Sequence, residues 1–194
     1  EPQLPPREVR PSEIRYESGN AIEEIFNSLT HAIGAGLAIA GLSVLIAMTH
    51  RDPSPWKYVG FSIYGASTIL LFLSSALMHS FAALPRIRAA LRGIDQAFVF
   101  VLIAGTYTPV TLIAMRGPIG WLVFGIIWAL AIAGILVKTL LPAKYANYTD
   151  LLYLPMGWLI VFAFRPMVTA TSPGFAAWTL VGGGLYTLDR KSVV

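Results

Sequence analysis

Phe72-Leu73-Ser74-Ser75-Ala76-Leu77-Met78-His79-Ser80, followed by Phe81 to Leu84 and then Pro85-Arg86-Ile87-Arg88-Ala89-Ala90-Leu91-Arg92-Gly93-Ile94-Asp95, decides how this chain is read. Polar groups are set into or beside hydrophobic helices on either side of a short basic turn. Ser75 and His79 are four residues apart and share one helical face. Asp95 opens the next apolar run, so an antiparallel helix pair is expected to return it to the depth of His79. Hydroxyl, imidazole and carboxylate would then meet at one end of a membrane bundle, where ionisable groups are costly and point to function by default.

The rest of the chain supports a bilayer setting. Of 194 residues, 56% are apolar and only 12% charged, far from the balance of a soluble domain. The expected class is all-α, a polytopic membrane helix bundle. No stretch has the short apolar core and small-residue cleavage site of a secretory signal, so the first apolar run stays as a span. There is no cysteine, hence no disulfide framework, and a zinc ion would need nitrogen and oxygen ligands. The net charge of +4 is read by its placement across the membrane, not as a nucleic-acid footprint.

Residues 1–20, with Pro2, Pro5, Pro6 and Pro11 among Glu and Arg, read as a flexible polar arm. Residues 21–188 read as the bundle, and 189–194 as a polar tail. Ile22, Ile25, Phe26 and Leu29 suit either a short interfacial helix or an early turn of the first span. The six expected spans are Leu29–Met48, Tyr58–Ser80, Ile94–Met115, Gly120–Leu141, Tyr148–Phe164 and Phe175–Leu188. Pro85 to Arg92 reads as a basic connection, Pro109 as a bend in the third span, and Arg165-Pro166 as a span terminus. Gly34, Gly36, Ala38 and Ala40 offer small-residue spacing for close helix contact, as does Gly182-Gly183-Gly184. Trp56, Trp121, Trp158 and Trp178, with Tyr58, Tyr148 and Tyr153, read as interfacial anchors, and Trp128 as packing.

The basic residues assign the orientation. Ten of the 14 Lys and Arg fall on the amino-terminal side, including Arg86, Arg88, Arg92 and Lys138, and four (Arg51, Lys57, Arg116, Arg165) on the other. Positive charge stays in the cytoplasm, so the amino terminus is expected there. Asn27, His31, His79 and Asp95 then all belong to the cytoplasmic leaflet. Each has an ordinary reading: a hydrogen-bonded histidine, a first-turn carboxylate on a helix dipole, a serine bonded to its own backbone. Their convergence from separate helices favours chemistry.

These residues resemble the haemolysin III group of bacterial membrane proteins, within the progestin and adipoQ receptor superfamily. The resemblance rests on Glu24-x-x-Asn27-x-x-x-His31-x-x-Gly34, Ser75-x-x-x-His79, Leu91-Arg92-x-x-Asp95, Ala104-Gly105-Thr106-Tyr107-Thr108-Pro109 and Met156-Gly157-Trp158. It implies a seven-helix fold with a cytoplasmic amino terminus in the bacterial inner membrane, and a zinc near the cytoplasmic side. It implies His79 as metal ligand, Asp95 to polarise the metal-bound water, and Ser75 to bond water or a substrate oxygen. The chemistry implied is hydrolysis of a lipid amide or ester, with membrane lipids as partners and substrate. Glu24, Asn27 and His31 match the amino-terminal motif; Asn27 as a cap of helix one and Glu24 as the partner of a basic loop residue are equally open.

Two departures bear on the zinc. The resemblance expects a His-x-x-x-His pair on a seventh helix, which this sequence lacks, and histidine in place of Gln96. A truncated or mis-joined chain, ligands from a second subunit in a homo-oligomer, or lost metal chemistry are the open explanations. A non-enzymatic sensor or cytolytic protein, and a small transporter or proton path using Asp95 and His79, stand as alternatives to the enzyme.

Overall fold

The computed structural model describes residues 21–140 and 152–191. The expected arm, the turn at 142–147, Tyr148 and residues 192–194 lie outside the described residues. Within them the chain is helical with short turns: α1 (Ala21–Thr49), α2 (Pro55–Ser80), α3 (Pro85–Pro109), α4 (Pro118–Leu140), α5 (Tyr153–Trp158), α6 (Phe164–Ala170) and α7 (Pro173–Lys191). A π-turn, Val110–Ala114, prolongs α3, and a 3-10 stretch, Leu159–Ala163, joins α5 to α6.

Among the described residues five segments are long and apolar enough to cross a membrane: α1, α2, α3 with its π-turn, α4, and the broken helix Tyr153–Ala170. α7 is the sixth long helix, 19 residues, and its charged last turn of Asp189, Arg190 and Lys191 dilutes its apolar character. The chain is therefore a multi-pass all-α membrane protein. Large side chains such as Ile25, Leu29, Ile33 and Leu37 on α1 are exposed, as a lipid-facing surface requires, since hydrocarbon is their solvent.

Several boundaries move, each for a local reason. Ile22 to Leu29 belong to the first helix itself, which places Asn27 inside α1 and rules out the cap. The basic connection is not a loop. Pro85 occupies the first turn of α3, where its missing N–H costs nothing, and Arg86, Arg88, Ala89, Ala90 and Leu91 are good helix formers that carry it on. Pro109 is accommodated by the π-turn, closed by Met115 N to Val110 O at 2.8 Å. Arg165-Pro166 does not end the fifth span: Pro166 falls in the first turn of α6, and the helix continues to Ala170.

The apolar core lies between α3, α4 and the broken fifth span, around Phe100, Ala104, Ile127, Tyr153, Met156 and Met167. Tyr153 is 2% exposed there, with its hydroxyl on the Gln96 carbonyl at 3.0 Å, so it is a core residue and not an anchor. Tyr107 pins the break in the fifth span. Its hydroxyl lies 2.8 and 2.9 Å from the carbonyls of Met156 and Gly157, and it accepts the Ile160 N–H at 3.0 Å. Trp128 packs and also donates to Thr108 Oγ1 at 3.2 Å. At the opposite end from Arg86, Arg88 and Arg92, Trp56 meets Trp121 edge-on, with Arg116 4.5 Å above the Trp56 ring.

Of the small residues expected to bring α1 close to its neighbours, Gly34 does so: a Cβ there would lie 2.7 Å from two carbons of the Phe72 ring. Among the described residues nothing lies within 4 Å of a Cβ at Gly36, and in the glycine run only Gly183 meets a neighbour, Trp158. α1 packs on α2, and α2 runs the length of α3, from Ser74 opposite Asp95 to Gly60 opposite Pro109 and Ile113. These three helices hold the polar residues.

Candidate functional site

Glu24, Ser28 and His31 recur at four and three residues, so they form one stripe on α1. It faces a stripe on α2 of Phe72, Ala76, His79 and Ser80. Ser28 Oγ lies 3.2 Å from the Ala76 carbonyl and 2.7 Å from Ser80 Oγ. The His31 ring stacks on that of His79, with centroids 5.6 Å apart and planes within 5°. Phe72 closes the far side of His31 at 6.0 Å.

At the end of this interface is Glu24, 8% exposed although Glu23 and Ile25 beside it are exposed. Its Oε2 lies 2.6 Å from His79 Nδ1, and its Oε1 accepts from Arg88 Nη2. One carboxylate thus ties α1 to α2 and α3. Removed from water, such a charge is tolerated only when paired and hydrogen-bonded. Arg88 Nε is buried with no partner among the described residues.

Asp95 forms a second group. Its Oδ1 accepts a hydrogen bond from Ser75 Oγ, and Ser74 Oγ shares its single proton between Oδ1 at 3.0 Å and the Leu71 carbonyl at 2.8 Å. Asp95 and Arg88 are seven apart and share a face of α3, so one helix offers a cation to Glu24 and a carboxylate to the α2 serines. The expected depth was different. Because α3 starts at Pro85, Asp95 stands ten residues into the helix, about 15 Å along its axis. It therefore meets Ser74 and Ser75 instead of His79. Among the described residues no hydrogen bond joins His79 to Asp95, although both lie within electrostatic reach of His31.

The structure thus brings together Ser75 with Asp95, and His79 with Glu24 and His31. It leaves the Asn27 side chain without a hydrogen bond among the described residues. Sequence reasoning missed two participants. Arg88 was readable once Pro85 was taken as the start of a helix, since Arg88 and Asp95 then fall on one face. Ser74 carried no signal beyond its adjacency to Ser75. Beside Glu24 and His79, an open groove of about 640 Å³ runs along α1 and the end of α2, lined by Ser28, Leu29, Ala32 and Ser80.

Zinc can be tested against these donors. His79 uses Nδ1 on a carboxylate, which leaves Nε2 free, the usual posture of a ligating histidine. Yet a zinc site needs at least three protein ligands, and among the described residues no three His, Asp or Glu side chains cluster to hold a metal. These residues do not by themselves fit a zinc ion.

The family model described as Haemolysin-III related matches residues 20–189. The chain is 41% identical over 167 residues to Hemolysin-3 of Bacillus cereus, covering 86% of this chain and 75% of that protein. It is 38% identical over 166 residues to a Hemolysin-3 homolog of Bacillus subtilis (strain 168), covering 86% and 78%. No solved structure matches it.

Proposed function

We propose, from the premise that the chain belongs to the haemolysin III family, that it hydrolyses an amide or ester bond of a lipid at the cytoplasmic leaflet of the bacterial plasma membrane. The observation that carries this reading is Asp95, a carboxylate within a membrane span held by two serine hydroxyls at the end of the bundle that also holds His79. Both serines bond Oδ1, and Oδ2 has no hydrogen-bond partner among the described residues. A carboxylate so held can take the proton of an attacking water and return it to the leaving amine or alkoxide. Ser75 and Ser74 aim it. The lateral groove beside Glu24 and His79 offers a lipid headgroup a way to His79 from the leaflet; Asp95 does not line it. Zinc at His79 belongs to what the resemblance implies, but one imidazole does not hold it, and the roles above are those of the chain's own residues.

The test uses the full chain in nanodiscs of bacterial lipid, supplied with a panel of fluorogenic lipid amides and esters. Turnover that falls at least about 100-fold in Asp95→Asn supports the reading, in line with the usual share of acid–base catalysis. Turnover unchanged in Asp95→Asn, or none on any lipid by a folded chain, overturns it. Metal analysis of the same sample decides zinc separately: near one per chain and lost in His79→Ala would assign His79 as a ligand. A second reading follows from the relatives' printed name, Hemolysin-3. Leakage of liposomes that is insensitive to Asp95→Asn and His79→Ala would favour a lytic protein.

A further inference from the structure

We propose that Glu24 is a positioning residue for His79: it holds the neutral imidazole in the tautomer with hydrogen on Nδ1 and leaves the Nε2 lone pair free for work. The inference rests on the reading of His79 as a functional group and says how its reactive nitrogen is chosen. A carboxylate only accepts hydrogen bonds, so the 2.6 Å contact of Glu24 Oε2 with Nδ1 requires the proton to sit on Nδ1. Arg88 balances the same carboxylate through Oε1, so charge neutrality is met without protonating the ring. His31, stacked on it within 5° of parallel, limits the ring's swing toward α1. Nε2 has no hydrogen bond among the described residues. Which nitrogen of a histidine works is set by the bond the other makes.

The pairing also says what Glu24→Gln does. A glutamine has one oxygen for two donors, and the charged guanidinium claims it. The amide NH2 then faces Nδ1, which must accept, and the ring proton moves to Nε2. Glu24→Asp keeps both acceptors and the original tautomer.

The test is 15N NMR of the full chain labelled at histidine, metal-stripped and in nanodiscs, with His31→Gln and His50→Gln used for assignment. The expected result is a protonated Nδ1 and an unprotonated Nε2 at His79, interchanged in Glu24→Gln and kept in Glu24→Asp and in Asp95→Asn. Protonation at Nε2 or at both nitrogens in the unsubstituted chain overturns the proposal. So does an unchanged pattern in folded Glu24→Gln. If Glu24→Gln does not fold, the unsubstituted chain and Glu24→Asp still decide. The readout needs neither substrate nor metal, so loss of the hydrolase reading would leave this result standing, and the converse.

Discussion

Removing the guanidinium of Arg88 while leaving Glu24 in place is the sharpest stability test of the site. The side chains of Glu24 and Arg88 are 10% and 15% exposed, and the Glu24 carboxylate has His79 as its only other hydrogen-bond partner among the described residues. In Arg88→Met a buried carboxylate loses its counter-charge, a change that costs about 3 kcal/mol when the pair is buried, or roughly a 100-fold shift in the folding equilibrium. Glu24→Gln is milder, about 1 kcal/mol, because the amide oxygen still accepts from the Arg88 guanidinium. The double variant Glu24→Gln/Arg88→Met has no buried charge left, so its cost should be far below the sum of the two and close to that of Glu24→Gln alone. Reversible unfolding in mixed micelles measures all four proteins. Arg88→Met within about 0.5 kcal/mol of the parent, or strict additivity in the double variant, refutes the bridge.

Tyr107→Phe should destabilise by about 1–2 kcal/mol, because the buried Ile160 N–H and the two carbonyls lose their partner at the break in the fifth span; the same unfolding assay checks it. Gly34→Leu should cost at least about 1 kcal/mol by driving α1 off the Phe72 ring, whereas Gly36→Leu, which faces nothing, should be neutral. In the lipid hydrolysis assay Ser74→Ala/Ser75→Ala should lower turnover more than either single change, since both hydroxyls hold Asp95 Oδ1. Equal rates in single and double variants would show that the serines do not orient it.

The gross architecture was legible because hydropathy needs only local composition: six helices are countable, and the basic residues fall unequally between the two sides. Glu24 as a pairing residue was half legible, with the partner expected in a loop. The error lay at Pro85. Three arginines after a proline look like a connection, yet proline at the first turn followed by Arg, Ala and Leu is a helix start, and nine residues of added helix change which side chains oppose one another. That single boundary moved Asp95 from His79 to the serines and turned Arg88 from a loop cation into the partner of Glu24. The break in the fifth span was not readable, because it depends on a hydroxyl from α3, some 50 residues away in sequence. Nor was the burial of Tyr153, an aromatic near a span end whose role is decided by where Gln96 lies.

α1, α2 and α3 together carry the polar residues at one end of the bundle, and a cysteine pair tests both that packing and its proposed cytoplasmic placement most directly. Ser28 and Ser80 have Oγ atoms 2.7 Å apart, and the chain has no cysteine of its own, so Ser28→Cys/Ser80→Cys is read without background. In oriented membrane vesicles the pair should form a disulfide in high yield under mild oxidation, and the reduced thiols should react with a membrane-impermeant maleimide only from the cytoplasmic face. No disulfide between thiols that both react, or labelling from the outer face alone, would contradict the account.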